Sequence, residues 1–429
     1  MHGVISGAWG TNLDTVGNGA PSTKRVHQNC HGKPLALKSG GIILQDRILT
    51  YLQDHEENMV KDLKWLIESE SPSTDKALLD RTAEVVARIL EASGLTISTI
   101  CQDNAGNQIR GYLEGSLKDR PILVLAHYDT VWEAGTLRDN PFSWQNGVLR
   151  GPGVFDMKAG LIQAAWACRA LRNTDYIRRP IVFLVTSDEE IGSAHSRPII
   201  EEEAKKACAV LVFEASHHGA LKTARKGTCL YEWRISGKAA HAGLDPLGGV
   251  SAVEELADQI VDLRTLVNSV TGTTVNVGVV NGGTRSNVIA AEASAAIDIR
   301  VGTAQEAERV MRYMEQIAPK RKGIRMEIRG GLNRPPMERT PDVVEIFEMA
   351  KEVGRELGLD LDEASVGGAS DGNFCAALGI PVIDGLGAVG DGAHAADEHV
   401  IAQTMPIRAA LAAHLMVRLS EEVPLRDGP

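Results

Sequence analysis

Unbroken apolar runs of strand length recur through the middle of the chain and alternate with stretches of helical period. Ile122–Ala126, Ile181–Val185 and Ala209–Phe213 are such runs, separated by helical patterns over Ala159–Arg172 and Pro198–Lys206. Strands buried on both faces carry continuous rather than alternating hydrophobicity, so this pattern predicts an α/β fold: a mostly parallel sheet with helices on both faces. Upstream, apolar residues at helical spacing from Ile42 to about Glu68 and from Lys76 to Ser93 predict two helices before the first strand. Residues 1 to about 42 are rich in Gly, Asn, Ser and Thr without sustained period, which predicts a flexible extension.

Between about Lys226 and Met337 the period changes. Thr228–Ser236, Thr273–Val280, Ala293–Val301 and Arg325–Arg329 alternate as half-buried strands, and Val250–Leu266 and Ala304–Ile317 read as helices. Two helices on a four-stranded antiparallel sheet form a ferredoxin-like α+β unit. From Pro341 helical stretches and a short apolar run return, over Val343–Leu357, Pro381–Asp384 and Met405–Leu419. The expected organisation is an extension over 1–42, one domain in two parts over 43–225 and 338–429, and a second domain inserted between them over 226–337.

Composition narrows the function. The 429 residues carry 56 acidic against 45 basic side chains, a net charge of -11, which argues against a nucleic-acid partner. No apolar stretch reaches the roughly 20 residues that span a bilayer, and the start lacks a basic n-region and an apolar h-region, so no membrane association and a cytoplasmic location are expected. Six scattered cysteines without a Cys-x-x-Cys pair read as free thiols.

The chemistry gathers where the runs end, the place where α/β sheets put their ligands. His127 and Asp129 close Val124-Leu-Ala-His-Tyr-Asp; Glu189 and Glu190 follow the second run and Glu214 the third. Asp156 follows Gly151-Pro-Gly-Val-Phe, and His394 stands in the Gly-rich segment 387–394. Singly, each has a plainer reading: a turn histidine, a helix N-cap, a solvated acidic pair, a loop acid, a surface histidine. Together they supply the donors of a two-metal hydrolase, with a carboxylate able to bridge and another left to move protons. Adjacent glutamates raise one another's pKa unless a cation neutralises them, which two divalent ions would do. His217 and His218, beside Glu214, exceed the number of ligands needed.

On these segments the chain resembles the co-catalytic zinc metallopeptidase family of aminoacylases, acetylornithine deacetylase and succinyl-diaminopimelate desuccinylase. It is most similar there to glutamate carboxypeptidases of the carboxypeptidase G type. The resemblance implies a catalytic domain split around a lid domain that dimerises, and two Zn2+ per subunit, Co2+ or Mn2+ also suiting the donors. It implies His127 with Glu214 on one metal and Glu190 with His394 on the other, Asp156 as the bridge, Glu189 as the base acting on a metal-bridging water, and Asp129 as the residue that orients His127. In the inserted unit, His241 in Ser236-Gly-Lys-Ala-Ala-His resembles the lid histidine that polarises the scissile carbonyl of the partner subunit's substrate. Asn287, Arg300 and the Gly-rich loop at Gly368 resemble the groups that hold the substrate's carboxylate. Ala290 departs from the family pattern, which has proline after Ser286-Asn-Val-Ile.

The expected activity is hydrolysis of the amide of an N-acyl amino acid or of a C-terminal amino acid, as in a glutamate carboxypeptidase. A dipeptidase or N-acetyl-amino-acid deacylase with the same metal site is the nearest alternative, and a non-catalytic metal-dependent binding protein the remote one.

Overall fold

The computed structural model describes residues 41–422. The extension expected over 1–42 therefore lies, apart from Gly41 and Ile42, outside the described residues. Three helices open the described chain: α1 (Gly41–Asp54), α2 (Glu56–Glu68) and α3 (Lys76–Ala92). The first two divide at His55 the single stretch that the period predicts. Asp75 caps α3 by accepting from the amides of Ala77 and Leu78 at 3.0 and 3.1 Å.

Two strands that the hydrophobic pattern does not announce follow, β1 (Thr96–Ile100) and β2 (Gln108–Leu113). Then come β3 (Ile122–His127), α4 (Ala159–Asn173), β4 (Ile181–Thr186), α5 (Arg197–Lys206) and β5 (Ala209–Val212). The short β6 (Leu221–Arg225) leads into β7 (Gly227–Ser236), α6 (Ala252–Leu263), β8 (Thr274–Gly282), β9 (Glu292–Val301), α7 (Ala304–Gln316) and β10 (Arg325–Arg334). The chain ends with α8 (Pro341–Glu356), β11 (Glu363–Val366), β12 (Val382–Ile383) and α9 (Met405–Glu422).

The larger sheet has the order β1-β2-β4-β3-β5-β12. Four of its strands, β4, β3, β5 and β12, pair in parallel, while β1 and β2 are added antiparallel at one edge. Successive residues of β3 enter opposite cores. Ile122, Val124 and Ala126 pack with α1 to α4, α8 and α9, and Leu123 and Leu125 pack with Ile200, Ala204 and Phe374 on the other face. Burial on both faces is why these strands read as unbroken apolar runs.

The smaller sheet, β8-β9-β7-β10, is antiparallel throughout. Its core is separate: Cys229, Tyr231, Trp233 and Ile235 of β7 face inward with Leu256, Leu263, Val310 and Met314 of α6 and α7. The intervening residues Leu230, Glu232 and Arg234 are exposed, the alternation that one-sided burial requires. Two antiparallel crossings join the sheets. Arg225 and Met337 exchange both backbone hydrogen bonds, at 2.9 and 3.0 Å, beside the starts and ends of β7 and β10.

The candidate active site

His127 is the last residue of β3, and parallel pairing of β3 with β4 and β5 sets the turns carrying Glu189, Glu190 and Glu214 beside it. Asp156 arrives from the other side of the turn after Gly153, on the chain entering α4. His394 lies in the loop between β12 and α9, with a left-handed φ of 62°. All seven acids and imidazoles expected of a two-metal site are thereby brought into one cluster.

Its geometry is specific. Asp156 turns one carboxylate oxygen to each imidazole: Oδ1 is 3.2 Å from His127 Nε2, and Oδ2 is 3.3 Å from His394 Nε2. Glu214 Oε1 lies 3.6 Å from His127 Nε2, and Glu190 Oε2 lies 3.2 Å from His394 Nε2. Ligands at about 2.0–2.2 Å from a tetrahedral metal stand about 3.3–3.6 Å from one another, so these separations would suit donors to metal ions. Two groups with ligand atoms all within 4.8 Å occur among the described residues, His127 with Glu189 and Glu214, and His127 with Asp156 and Glu190. Glu189 thus stands close enough to count as a donor itself.

Charge supports the same reading. Asp129 and Glu189 are buried, as is Glu214, and Glu190 and Asp156 are largely so. Arg225 and Arg334 reach this cluster, but both are shared with further acids, Asp384 and Asp371. Glu190 Oε1 is buried without any hydrogen-bond partner, a costly state that a cation relieves. Burial pushes the Glu189 carboxyl well above the usual carboxylate range, against the pull of Arg334 and His127, and pushes Glu214 up to about 7. The carboxylates beside His394, Asp156 first and Glu190 second, raise that imidazole to about 10. At His127 burial opposes the charge, but Asp129 and Asp156 prevail and hold it well above the histidine range. An excess of acids thus binds protons where metal would replace them, and the donor set fits two divalent ions.

Asp129 does more than orient an imidazole. His127 Nδ1 is 3.0 Å from the Asp129 carbonyl and 3.4 Å from its carboxylate. That carboxylate also accepts from the amides of both Glu189 and Glu190 at 3.2 Å and from Ser73 Oγ at 2.7 Å. One buried acid therefore fixes the positions of three other site residues.

Three contributors have no local signal in the sequence. Glu398, 1% exposed, accepts from the amides of Gly153, Phe155 and Asp156 at 3.0, 2.8 and 3.0 Å and from Trp132 Nε1 at 2.9 Å. It grips the turn that presents Asp156 from 242 residues further along the chain. Arg334, at the end of β10, binds the Glu189 carboxylate and carbonyl, both at 2.9 Å. Arg225, at the end of β6, lies 3.7 Å from Glu214 and pairs with Asp384 at 2.6 and 3.0 Å. An Arg-rich crossing would have been the signal, but arginine at strand ends is ordinary on surfaces.

The residues of the smaller sheet are placed differently. Gly368 lines the same cavity as the cluster, but His241, Asn287 and Arg300 do not. The Nδ1 of the exposed His241 accepts from the amides of Gly243 and Leu244, both at 3.1 Å, and Asn287 O accepts from Ala242 N at 2.9 Å. Arg300 is engaged within its own sheet, donating to both Asp298 oxygens at 2.7 Å and to Thr228 Oγ1 at 2.9 Å. His217 and His218 line the cavity without joining either donor group. The described cysteines are free thiols.

Comparison with known proteins agrees with this architecture. The profile of peptidase family M20/M25/M40 matches residues 123–418. Carboxypeptidase G2 of Pseudomonas sp. (strain RS-16) is 28% identical over 403 residues, 90% of this chain and 94% of that protein. A succinyl-diaminopimelate desuccinylase of Thioalkalivibrio sulfidiphilus is 27% identical over 323 residues, covering 70% and 85%. Among solved structures, aminopeptidase PepT from Bacillus cereus superposes with a TM-score of 0.72 at 22% identity, covering 85% of this chain and 99% of that one.

Proposed function

Because the chain belongs to peptidase family M20/M25/M40, we propose that it is a di-zinc amidohydrolase that cleaves N-acyl amino acids or releases C-terminal amino acids, in the manner of a glutamate carboxypeptidase. The observation that carries this reading is the split of the Asp156 carboxylate between two imidazoles, at 3.2 and 3.3 Å. His127 with Glu214 and His394 with Glu190 are the terminal ligands on either side. Zinc, or cobalt or manganese in its place, would supply a Lewis acid for the scissile carbonyl and acidify a water.

The protein's own groups do the rest. Glu189 takes the proton of the attacking water and returns it to the leaving nitrogen. Arg334 holds its Oε1, which leaves Oε2 to carry the proton. Asp129 fixes the backbone of that glutamate and the ring of His127 together. The Gly-rich loop at Gly368 offers backbone amides to the substrate's carboxylate, and Asn287 and Arg300 complete that grip. His241 is the hydrogen-bond donor to the developing oxyanion, and the placement of these last three outside the cavity of their own chain supports a homodimer in which the inserted unit serves the partner's site.

The test is hydrolysis of N-acyl glutamate, N-acyl phenylalanine and a free dipeptide by wild type and Glu189→Ala, each with its zinc counted. Retention of about two metals with a loss of at least about 10³ in rate is expected. Loss of metal from the variant would make Glu189 a ligand instead, and metal-loaded wild type inert on all three substrates would end the amidase reading.

A further inference from the structure

The segment 186–193, which carries Glu189 and Glu190, is held at both ends and in the middle by one acid outside the metal cluster. Asp371, 5% exposed, accepts from Thr186 Oγ1 at 2.9 Å through one oxygen. Through the other it accepts from Ser193 Oγ and from Arg334 Nη2, the latter at 3.2 Å. Thr186 ends β4, and Ser193 closes the turn after Glu190 with a left-handed φ of 58°. Arg334 comes to the middle of the segment from the end of β10. Its Nη2 also lies 2.9 Å from Glu189 Oε1, 2.9 Å from the Glu189 carbonyl and 2.7 Å from Ser193 Oγ.

Four acceptors therefore surround one nitrogen, while Nε of the same guanidinium is buried without a hydrogen-bond partner among the described residues. A buried unpaired donor is costly, so this side chain is not placed for the largest number of hydrogen bonds. It is placed to bring Nη2 between two carboxylates, Asp371 and Glu189, with the Phe374 ring 5.5 Å from its Cζ. Asp371 belongs to neither donor group and does not line the cavity. Its charge is thus free to serve Arg334, which beside two divalent ions would otherwise depend on Glu189 alone for a counter-charge.

We propose that Asp371 is a positioning residue for the reaction: acting through Arg334, and through Thr186 and Ser193, it sets the direction in which Glu189 presents its second oxygen to the water. The proposal rests on the amidase reading and deepens it. A general base works only within hydrogen-bond reach of the proton it takes, and a displacement of about 1 Å costs up to about 100-fold in rate. An acid that anchors both ends of the segment and the one cation on the base controls that displacement.

Asp371→Asn keeps the shape of the side chain and removes its charge. In the zinc-loaded enzyme kcat is expected to fall at least about 30-fold on the amide it cleaves fastest, with KM within about 3-fold and both metals retained. In Glu189→Asp, whose carboxylate is withdrawn from Arg334 by one methylene, the same substitution is expected to cost less than about 3-fold more, because no aligned base is left to disturb. An unchanged kcat, a loss of equal size in both backgrounds, a change that falls on KM, or loss of metal overturns the proposal and leaves the amidase reading intact. Should Asp371→Asn not fold, Thr186→Val, which frees the other oxygen of the same acid, is read in the same two backgrounds against an expected loss of about 5-fold in kcat. If wild type cleaves no amide, the amidase reading fails instead, and crystal structures of the zinc-loaded wild type and variant decide on Asp371. Arg334 and Glu189 unmoved in the variant overturn its positioning role, and a pair parted by about 1 Å or more sustains it.

Discussion

The two sheets of this protein hold their chemically suggestive residues in opposite ways. The larger sheet converges seven acids and imidazoles from five separate segments on one cluster, most of them buried. The smaller sheet leaves His241 exposed, bonded to its own turn, and ties Arg300 to Asp298. Parallel strands that end at one sheet edge gather side chains by construction, whereas residues on an exposed sheet face and its loops need a second body to complete them. The first region gathers its donors within one chain; the second, on the function proposed above, is completed by a partner.

That contrast is most strongly tested at its centre. Asp156→Asn keeps the shape of the bridge and removes its charge; metal content is expected to fall from two ions to at most one, with a rate loss of about 10⁴ or more. Elemental analysis beside turnover checks it, and a variant that holds two metals would break the claim that this carboxylate is shared.

A smaller effect is expected one layer out. Glu398→Gln leaves a shape able to fill the turn but weakens its grip on three amides, so zinc affinity should fall 10- to 100-fold. Competition titration with a chelator reads this directly, and a change in the spectrum of the cobalt-substituted protein would separate altered metal geometry from mere loss of stability.

For the smaller sheet the informative variant is His241→Ala, expected to lose activity alone. Mixed with Glu189→Ala it should recover about a quarter of wild-type activity, because half of the dimers formed at random contain one intact composite site. No recovery, with heterodimers shown to form, would place His241 in its own chain's site or in none.

The smallest effect concerns stability only. Arg309, then Thr273, hold the Glu306 carboxyl down to about 2, and the side chain is nearly buried. A carboxyl depressed in the folded state stabilises it above its unfolded pKa of about 4.3, and the contribution fades as pH falls from there toward 2. Glu306→Gln should therefore cost on the order of 1 kcal/mol at pH 7 and progressively less below pH 4, measured by urea denaturation across that range.

The sequence is informative where burial is two-sided. Ile122–Ala126 and Ile181–Val185 stand out because every residue enters a core, and the acids that follow them are conspicuous by contrast. β1 escapes because an edge strand such as Thr96-Ile-Ser-Thr-Ile is mostly exposed or half-exposed, leaving neither an unbroken run nor a clean alternation. His55 divides α1 from α2 without a proline or glycine to announce it. Glu398 is invisible for another reason: three of its four partners are backbone amides, which every residue but proline possesses, and the fourth, Trp132, lies 266 residues away in the chain. Arg225 and Arg334 are silent in the sequence because a guanidinium at a strand end acquires meaning only once the fold turns it inward.

Those two arginines bear on how freely the smaller sheet could be exchanged between relatives in evolution or in engineering. It is attached by a single two-stranded joint, a convenient place to graft at first sight. Yet Arg334 belongs by sequence to the last strand of the insert and by contact to Glu189, while Arg225 sits just before the first strand and holds the 368–369 loop. A transplant cut at the ends of that sheet would carry off one of the site's own counter-charges with the donor module, because Arg334 is the last residue of its final strand.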